Sequence, residues 1–377
     1  MMNSNTKFSE VNLSAVEPEG WLRRYLENQR NGLTGHVEHA QYPFNTPGWA
    51  GNACGTHGEP WWPYEQTGYW VDGATRCGHL LKDRFLLDKA EKQIEHVLDT
   101  QDSDGYLGPD FLKQPKPLNR WSHAVFFRAL MAHYSANGDE RIPASLAKHY
   151  LGSPVDAHVN SRDVCNVEAI LWTYERTGDK KLLEHAVNAY DKFNKLLPEH
   201  DAAMENLLSD KKANEHGVTY NEMAKLGAIL YKYTGNNRYL NASINAYKKI
   251  DHYHMLIDGV CSSAELLKGK DPLDSHETCD IADFTWSVGY LLMITGNAAY
   301  ADKIERACFN AAPGAVKNDF TAMQYLSCPN QVIADQTSNH NPMFRGGALM
   351  AYCLNPGVEC CTANVSRIMP NYVARMW

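Results

Sequence analysis

The chain has 377 residues, of which 44% are hydrophobic and 21% charged, so it has enough apolar material for a large core and too little charge for a disordered chain. Its 36 Lys and Arg against 44 Asp and Glu give a net charge of −8 without a basic block, which argues against nucleic acid as a partner. No apolar run reaches the roughly 18 residues that a membrane-spanning helix needs, so no membrane partner is expected.

The first twenty residues contain no apolar signal segment. We therefore expect a cytoplasmic protein with reduced thiols, and a periplasmic one only if a signal peptide has been trimmed. Twenty Tyr and nine Trp outnumber eleven Phe, a mixture that is typical of sugar-binding clefts and also of large soluble cores. Oligomeric state has no signature in the sequence.

Four short signatures predict the tips of helical hairpins. Each joins Thr or Asn, Gly, and Asp or Asn, and they lie at 137–139, 177–179, 234–236 and 295–297. The glycine ends one helix with a positive φ, and the polar residue after it caps the next helix. The signatures recur about every 40 to 60 residues, as expected for stacked helix pairs.

Apolar periodicity predicts about twelve helices. They begin near Trp21, Gln66, Phe85, Asn119, Arg141, Arg162, Lys180, Val218, Asn237, His276, Ala298 and Glu359. Six hairpins of this kind fit an all-α (α/α)6 barrel formed by residues 1–377, with an open α-solenoid as the alternative. The segment 315–357 lacks periodicity and predicts a long irregular loop before the last helix, with a short hairpin near 323–328.

Polar, aromatic and thiol side chains recur at the starts of the even-numbered helices. If these are the inner helices of a barrel, their N-termini meet at one end, where the side chains line a single funnel. The six N-termini also supply positive potential there, which favours anions and thiolates. Ordinary capping explains Ser, Asp and Asn at these positions, but it does not explain His, Trp, Tyr and Cys.

Two of these helix starts carry Glu277-x-Cys279 and Cys360-Cys361. One carboxylate and three thiolates make a complete tetrahedral zinc shell. Spacing alone leaves open that the thiols are small buried hydrophobes, as most free cysteines are. Glu265 precedes the loop that leads to Glu277, and a nearby carboxylate would raise its pKa and make it an acid; a solvated loop residue is the alternative.

Several motifs together resemble glycoside hydrolase family 127, which comprises bacterial retaining β-L-arabinofuranosidases and their relatives. They are the segments 69–73 and 104–108, the segment 262–265, the Glu-x-Cys pair, and the Cys-Cys pair with Asn364. The likeness covers nearly the whole chain. It implies an (α/α)6 catalytic barrel followed by β-sandwich domains, so we expect this chain to hold the catalytic domain without those sandwiches.

The resemblance implies roles for particular residues. Glu277, Cys279, Cys360 and Cys361 match the family's Zn²⁺ ligands, Cys360 matches its nucleophile, and Glu265 matches its general acid/base. Zinc and the helix N-termini would keep the nucleophilic thiol ionised, and Glu265 would protonate the leaving oxygen and then deprotonate water. The implied partner is a carbohydrate, namely a terminal β-L-arabinofuranoside or a related sugar of a plant-type glycan or oligosaccharide.

The sugar-contacting residues depart from the family pattern. Family members tend to have histidines at several inner-helix starts; His123 fits one such place, whereas Asn166 and Asn221 stand where two others are expected. The exact sugar and linkage therefore do not follow from the resemblance. The candidate sugar contacts are Trp70, Asp72, Trp121, His123, Asn166, Glu168, Asn221, Glu222 and Tyr325.

Two other functions stay open on the sequence. The first is another (α/α)6 carbohydrate-active enzyme, such as an inverting hydrolase, lyase or epimerase. It would use Asp72, Glu168 or Glu222 as acid and base, and its cysteines would be structural. The second is a non-catalytic helical module that binds sugar and holds a structural zinc.

Overall fold

The computed structural model describes residues 5–53, 61–114, 116, 118–152, 161–335 and 349–376. This part of the chain is mostly helical, as predicted. Its elements are α1 (Gly20–Asn31), α2 (Trp62–Leu81), α3 (Arg84–Asp99), α4 (Asn119–Asn137), α5 (Arg141–Gly152), α6 (Val167–Thr177), α7 (Lys180–Leu196), α8 (Met204–Leu208), α9 (Gly217–Ala224), α10 (Leu226–Thr234), α11 (Asn237–Tyr253), β1 (Ser263–Ala264), β2 (Leu266–Leu267), β3 (His276–Glu277), α12 (Thr278–Thr295), α13 (Ala299–Arg306), α14 (Ala312–Gly314), β4 (Leu326–Ser327) and α15 (Cys360–Ala374). None of the described helices has the length and apolar character needed to cross a membrane.

Six helical units pack side by side into a closed ring. Helix α2 packs against α4, α4 against α6 and the 3₁₀ turn Ser161–Asn166 before it, and α6 against α10. Helices α9 and α10 pack against α12, α12 against α15, and α15 returns to α2. The outer helices α3, α5, α7, α11 and α13 each pack on members of this ring. The closure confirms the (α/α)6 barrel and rules out the open solenoid.

The hairpin tips have the conformation that their signatures predict. Gly138, Gly178, Gly235 and Gly296 all adopt positive φ, between 68° and 73°. After each of them, the side chain of the next residue accepts a hydrogen bond from a backbone amide at the start of the following helix; these residues are Asp139, Asp179, Asn236 and Asn297. These local signals end each inner helix and reverse the chain into an outer one.

A small sheet lies at the end of the ring where the inner helices begin. Its strand order is β2-β1-β3-β4, with β1 and β3 parallel and the other pairs antiparallel. The short hairpin predicted near 323–328 is displaced toward the N-terminus, because Met323 pairs antiparallel with Val316, whereas β4 pairs with β3. Within the predicted loop 315–357, residues 336–348 lie outside the described residues.

Some helix boundaries also differ from the predicted ones. Helix α2 begins at Trp62, four residues before the predicted start, with Pro63 in its first turn. Arg162 lies in a 3₁₀ turn, and His276 lies in β3, so the α-helices that follow them begin at Val167 and Thr278. Helix α8 and the break between α9 and α10 were not predicted.

Replacing Gly138 by alanine tests the energetic role of a hairpin tip. Its φ of +72° strains any L side chain, although a Cβ there would meet no atom within 4 Å. We expect a loss of about 1 kcal/mol in the free energy of unfolding, measured by urea denaturation. Gly314, which also has open space but no positive φ, is the control, and Gly314→Ala should not destabilise the protein. Equal losses in both variants would contradict this account.

Candidate active site

The starts of α12 and α15 bring the predicted carboxylate and thiols together. Glu277 is the N-cap residue of α12 and Cys279 lies in its first turn, while Cys360 and Cys361 begin α15. One oxygen of Glu277 and the three sulfurs all lie within 4.8 Å of one another. The Sγ atoms of Cys279 and Cys361 are 3.2 Å apart, and Glu277 Oε1 is 3.6 Å from the Sγ atoms of both Cys360 and Cys361.

These separations fit a four-coordinate metal ion. With Zn–S bonds of about 2.3 Å and tetrahedral angles, sulfurs lie roughly 3.8 Å apart and a carboxylate oxygen roughly 3.5 Å from each sulfur. The two sulfur–oxygen separations of 3.6 Å match the second figure, and the sulfur–sulfur separation of 3.2 Å is shorter than the first. Separate apolar fillers would not be packed around a buried carboxylate, so the thiols and Glu277 form one polar cluster that could hold a metal.

The three thiols differ in acidity and exposure. Hydrogen bonds from Cys279 and Cys361 lower the pKa of Cys360 below its usual value. Burial raises the pKa of Cys279 and that of Cys361 well above the usual range. Cys360 is also the one partly exposed member of the cluster, whereas Glu277, Cys279 and Cys361 are buried. The most acidic thiol is therefore the one that a small molecule can reach.

Glu265 lies next to this cluster and is oriented by two side chains. Its Oε1 accepts a hydrogen bond from the Tyr325 hydroxyl, and its Oε2 is 3.1 Å from Nε2 of His216. The same Tyr325 hydroxyl is 4.0 Å from Cys360 Sγ, and the same Nε2 is 3.4 Å from Glu277 Oε2. A carboxyl group and a thiol thus meet at one tyrosine hydroxyl.

The backbone of Glu265 is in an uncommon conformation. Its φ is +68°, and it forms the tip between β1 and β2, where Ala264 pairs with Leu266. The carbonyl of Glu265 accepts a hydrogen bond from the Gly217 amide at 2.8 Å, which fixes the tip against the start of α9. Left-handed non-glycine residues are costly and cluster at functional sites, so this strain supports a functional role for the side chain.

Three polar residues that the sequence analysis did not select also lie here. Glu65 is buried and accepts hydrogen bonds from Trp121 Nε1 at 2.5 Å and from the Tyr69 hydroxyl at 3.1 Å. A guanidinium nitrogen of Arg162 is 3.5 Å from Glu65 Oε1, and another is 2.9 Å from Nδ1 of His216. Glu65 and Arg162 stand at even-numbered helix starts, but no spacing rule singles them out from the residues around them.

His216 caps α9 through its Nδ1, which accepts a hydrogen bond from the Thr219 amide. Since Nδ1 also accepts from Arg162, the ring proton lies on Nε2 and points to Glu265 and Glu277. His216 therefore links the carboxyl group of Glu265 to the cluster formed by Glu277 and the three thiols. Only its position before a helix of polar character could have indicated this role.

Two of the nine predicted sugar contacts lie at this site: Trp121, through Glu65, and Tyr325, through Glu265. The structure does not bring the other seven to it. They are Trp70, Asp72, His123, Asn166, Glu168, Asn221 and Glu222. Each bonds to or stacks on other protein groups, and their contact with sugar stays a prediction.

The two glutamates among the seven belong to a buried ionic network inside the ring. Glu168 pairs with Arg128 and with Lys225, both at 2.9 Å. Glu222 pairs with the same two cations, at 2.5 Å in the case of Lys225. Buried charges need such partners, so these two carboxylates are already committed to holding the helices together.

The remaining five also bond within the protein. Asp72 pairs with Arg76 at 2.8 Å, and Trp70 donates to the carbonyl of Thr34. The ring of His123 stacks on that of a histidine of α5, 5.3 Å away between ring centres. The side-chain amide of Asn166 donates to the Arg120 carbonyl, and that of Asn221 donates to the Asp280 carboxylate in α12. A helix turns 100° per residue, so only some positions of each first turn face the funnel.

The closed ring thus brings carboxyl and thiol groups together at the end where its inner helices begin. Residues 18–374 match the family model described as "Beta-L-arabinofuranosidase, GH127 catalytic domain". The chain belongs to this family. No curated protein sequence matches it.

Solved structures share the fold at low sequence identity. A GH127 β-arabinofuranosidase is 18% identical with a TM-score of 0.73, over 99% of this chain and 62% of that one. A GH127 β-L-arabinofuranosidase from Geobacillus stearothermophilus T6 is 16% identical with a TM-score of 0.67, over 96% of this chain and 65% of that one. An unsaturated glucuronyl hydrolase from Streptococcus agalactiae is 13% identical with a TM-score of 0.59, over 97% and 98% of the two chains. The chain spans less than two thirds of the length of both family structures.

The cysteine cluster leads to a prediction about metal content. Removing a buried ligand leaves three donors, so Cys279→Ser should lose one equivalent of bound metal per chain, measured by plasma mass spectrometry. Cys353→Ser is the matched control, because Cys353 forms no disulfide within the described part of the chain and lies outside the cluster. Equal metal content in the wild type and in both variants would contradict the assignment.

Proposed function

We propose that the chain is a retaining glycosidase that cleaves a terminal β-L-arabinofuranoside or a related plant-glycan sugar. Cys360 is the nucleophile and Glu265 the general acid/base. The observation that carries the proposal is that the partly exposed, acidic thiol of Cys360 and the carboxyl group of Glu265 both contact the Tyr325 hydroxyl. Retaining glycosidases need their two catalytic groups close together, about 5 Å apart in the usual dicarboxylate enzymes.

The reaction proceeds by two displacements. In the first, Cys360 Sγ forms a bond to the anomeric carbon while the glycosidic C–O bond breaks, and the Glu265 carboxyl group gives its proton to the leaving oxygen. In the second, the Glu265 carboxylate takes a proton from water as the water oxygen bonds to the anomeric carbon. The C–S bond breaks and its electron pair returns to sulfur. Two inversions give net retention.

We further propose Zn²⁺ as the ion of the cysteine cluster, because one carboxylate and three thiolates at tetrahedral separations suit it. When bound, the ion supplies positive charge that keeps the thiols ionised near neutral pH. Glu277, Cys279 and Cys361 are buried and fix the position of Cys360 at the start of α15. The helix N-terminus adds favourable potential for the thiolate.

Tyr325 and His216 hold the acid/base in place. Burial raises the pKa of Tyr325 well above its usual value, so its hydroxyl keeps its proton and donates it in a hydrogen bond to Glu265. The Nε2 proton of His216 reaches the other oxygen of the same carboxyl group. Trp121, Glu65 and Arg162 form the adjacent polar wall, which would accept and donate hydrogen bonds to sugar hydroxyls.

The sugar assignment rests on the family description and on the names of the two similar β-arabinofuranosidases. The alternative in which Glu168 or Glu222 acts as acid or base is disfavoured by their ion pairs with Arg128 and Lys225. A non-catalytic sugar-binding module is also disfavoured. Such a module would not need a partly exposed thiol with a lowered pKa, and Cys360 is such a thiol.

Replacing the nucleophile should abolish turnover. We expect Cys360→Ala to lower kcat/KM on an aryl β-L-arabinofuranoside at least about a thousandfold, because no other group can form the covalent bond. Cys353→Ala should keep wild-type activity. A Cys360→Ala variant with activity close to wild type would rule out the thiolate mechanism.

Replacing the acid/base should give losses that depend on the leaving group. With Glu265→Gln, kcat/KM should fall by about 10² to 10⁴ for an alkyl arabinofuranoside, whose leaving oxygen needs a proton. For a nitrophenyl arabinofuranoside, whose leaving group departs without a proton, the rate of glycosidic bond cleavage should fall less. Glu215→Gln is the control. Glu215 precedes His216 in the chain, and its replacement should leave kcat/KM nearly unchanged for both substrates. A loss of the same size for both substrates would count against an acid/base role.

A further inference from the structure

A second group of metal-binding side chains lies outside the active site. His79 is in the last turn of α2, His133 lies near the end of α4, and Glu91 is in α3, which packs on α2. One nitrogen or oxygen atom of each lies within 4.8 Å of the other two. Because Glu65 is near the start of α2 and His79 near its end, a rise of about 1.5 Å per residue separates the two sites by about 20 Å.

Two imidazole nitrogens in this group are buried without a hydrogen-bond partner among the described residues. They are Nε2 of His79 and Nδ1 of His133. His133 is only 3% exposed, so bulk water does not form hydrogen bonds with its ring. Buried polar atoms are nearly always satisfied by protein, ordered water or an ion. Two unsatisfied imidazoles facing one carboxylate therefore point to a bound species between them.

A metal needs one unprotonated nitrogen from each ring. Nε2 of His79 and Nδ1 of His133 are the nitrogens that no protein group among the described residues occupies. Glu91 adds a negative oxygen, and its ion pair with the exposed Arg84 at 2.9 Å holds it at the edge of the group.

The second nitrogen of His133 is compatible with metal binding at the first. Nε2 lies 2.7 Å from the side-chain amide of Asn137, the exposed last residue of α4. Coordination through Nδ1 requires the proton on Nε2. The exposed Asn137 amide must then rotate to present its oxygen to that proton, and the Asp139 amide that now donates to this oxygen at 3.0 Å must turn to solvent. Such a hydrogen bond from the distal nitrogen is the usual way in which a ligating histidine is oriented.

We propose that His79, His133 and Glu91 form a second Zn²⁺ site that ties together α2, α3 and α4. Two imidazoles and one carboxylate are a familiar zinc ligand set, and a water molecule would complete the tetrahedron. The site is structural, since it lies at the end of the barrel opposite to Cys360 and Glu265. It does not depend on the proposed function.

Metal counting on the full chain tests this proposal. The wild type, loaded with Zn²⁺ and dialysed, should hold one more equivalent than His79→Gln and one more than Glu91→Gln. The second variant alters a partly exposed residue, so it tests the site even if His79→Gln folds poorly. His96→Gln is the control, because His96 is exposed on the same helix α3 and lies outside the group. Its metal content should equal that of the wild type.

Cobalt distinguishes the two sites. Co²⁺ in the cysteine cluster gives a thiolate charge-transfer band in the near ultraviolet, whereas a nitrogen and oxygen site gives none. We expect His79→Gln to lose one equivalent of Co²⁺ and to keep this band, and Cys279→Ser to lose the band and keep the other equivalent. Folded His79→Gln and Glu91→Gln variants that bind as much metal as the wild type would overturn the proposal. A missing thiolate band would instead count against the zinc of the proposed function.

Discussion

The contact between Glu277 at the start of α12 and the thiols at the start of α15 holds the candidate active site together. These residues are distant in sequence, and they meet because the ring of inner helices closes through α12, α15 and α2. Strand β3 ends at Glu277, directly before α12. Strand β4 pairs with β3 in a register that places Leu326 opposite Glu277. That register leaves the preceding residue, Tyr325, between Glu265 and Cys360. Barrel closure and a four-residue sheet contact thus produce the site.

The interior of the ring explains why some carboxylates are structural and others are available. Arg128 and Arg367 each lie inside the barrel and pair with buried acids, Arg128 with Glu168 and Arg367 with Asp283. Removing one partner of such a pair would leave an uncompensated buried charge, which is costly. Glu265 differs, because its side chain is partly exposed and its partners are a tyrosine hydroxyl and a histidine. It lies at the tip between β1 and β2, away from the acids that the ring's buried cations already pair.

Much of the fold could be predicted from the sequence because its signals are local. The glycine signatures specify the hairpin tips, and apolar periodicity specifies the helices between them. The cysteine cluster was also predictable, since Glu277-x-Cys279 and Cys360-Cys361 each stand at a helix start. The pairing of β4 with β3 was not, because strands of two residues carry no periodicity and their partner lies some 50 residues away.

The residues that surround Glu265 and Cys360 were harder to predict for a geometrical reason. His123 and Asn166 stand in the right segments, but the rotation of the helix turns them toward outer helices and neighbouring backbone. Glu65 and Arg162 face the funnel and meet only because two helix starts approach in the closed ring. A pattern along one helix cannot show which of its first residues will face a helix that is 100 residues away.

The central claim is that the Cys360 sulfur forms a covalent bond to the sugar. The most direct test is to treat the protein with a mechanism-based β-L-arabinofuranosyl electrophile, measure the intact mass, and map the labelled peptide by tandem mass spectrometry. The account predicts a single adduct per chain on Cys360, at the start of α15. A single adduct on Glu265 or on any other residue, with Cys360 unmodified, would contradict it.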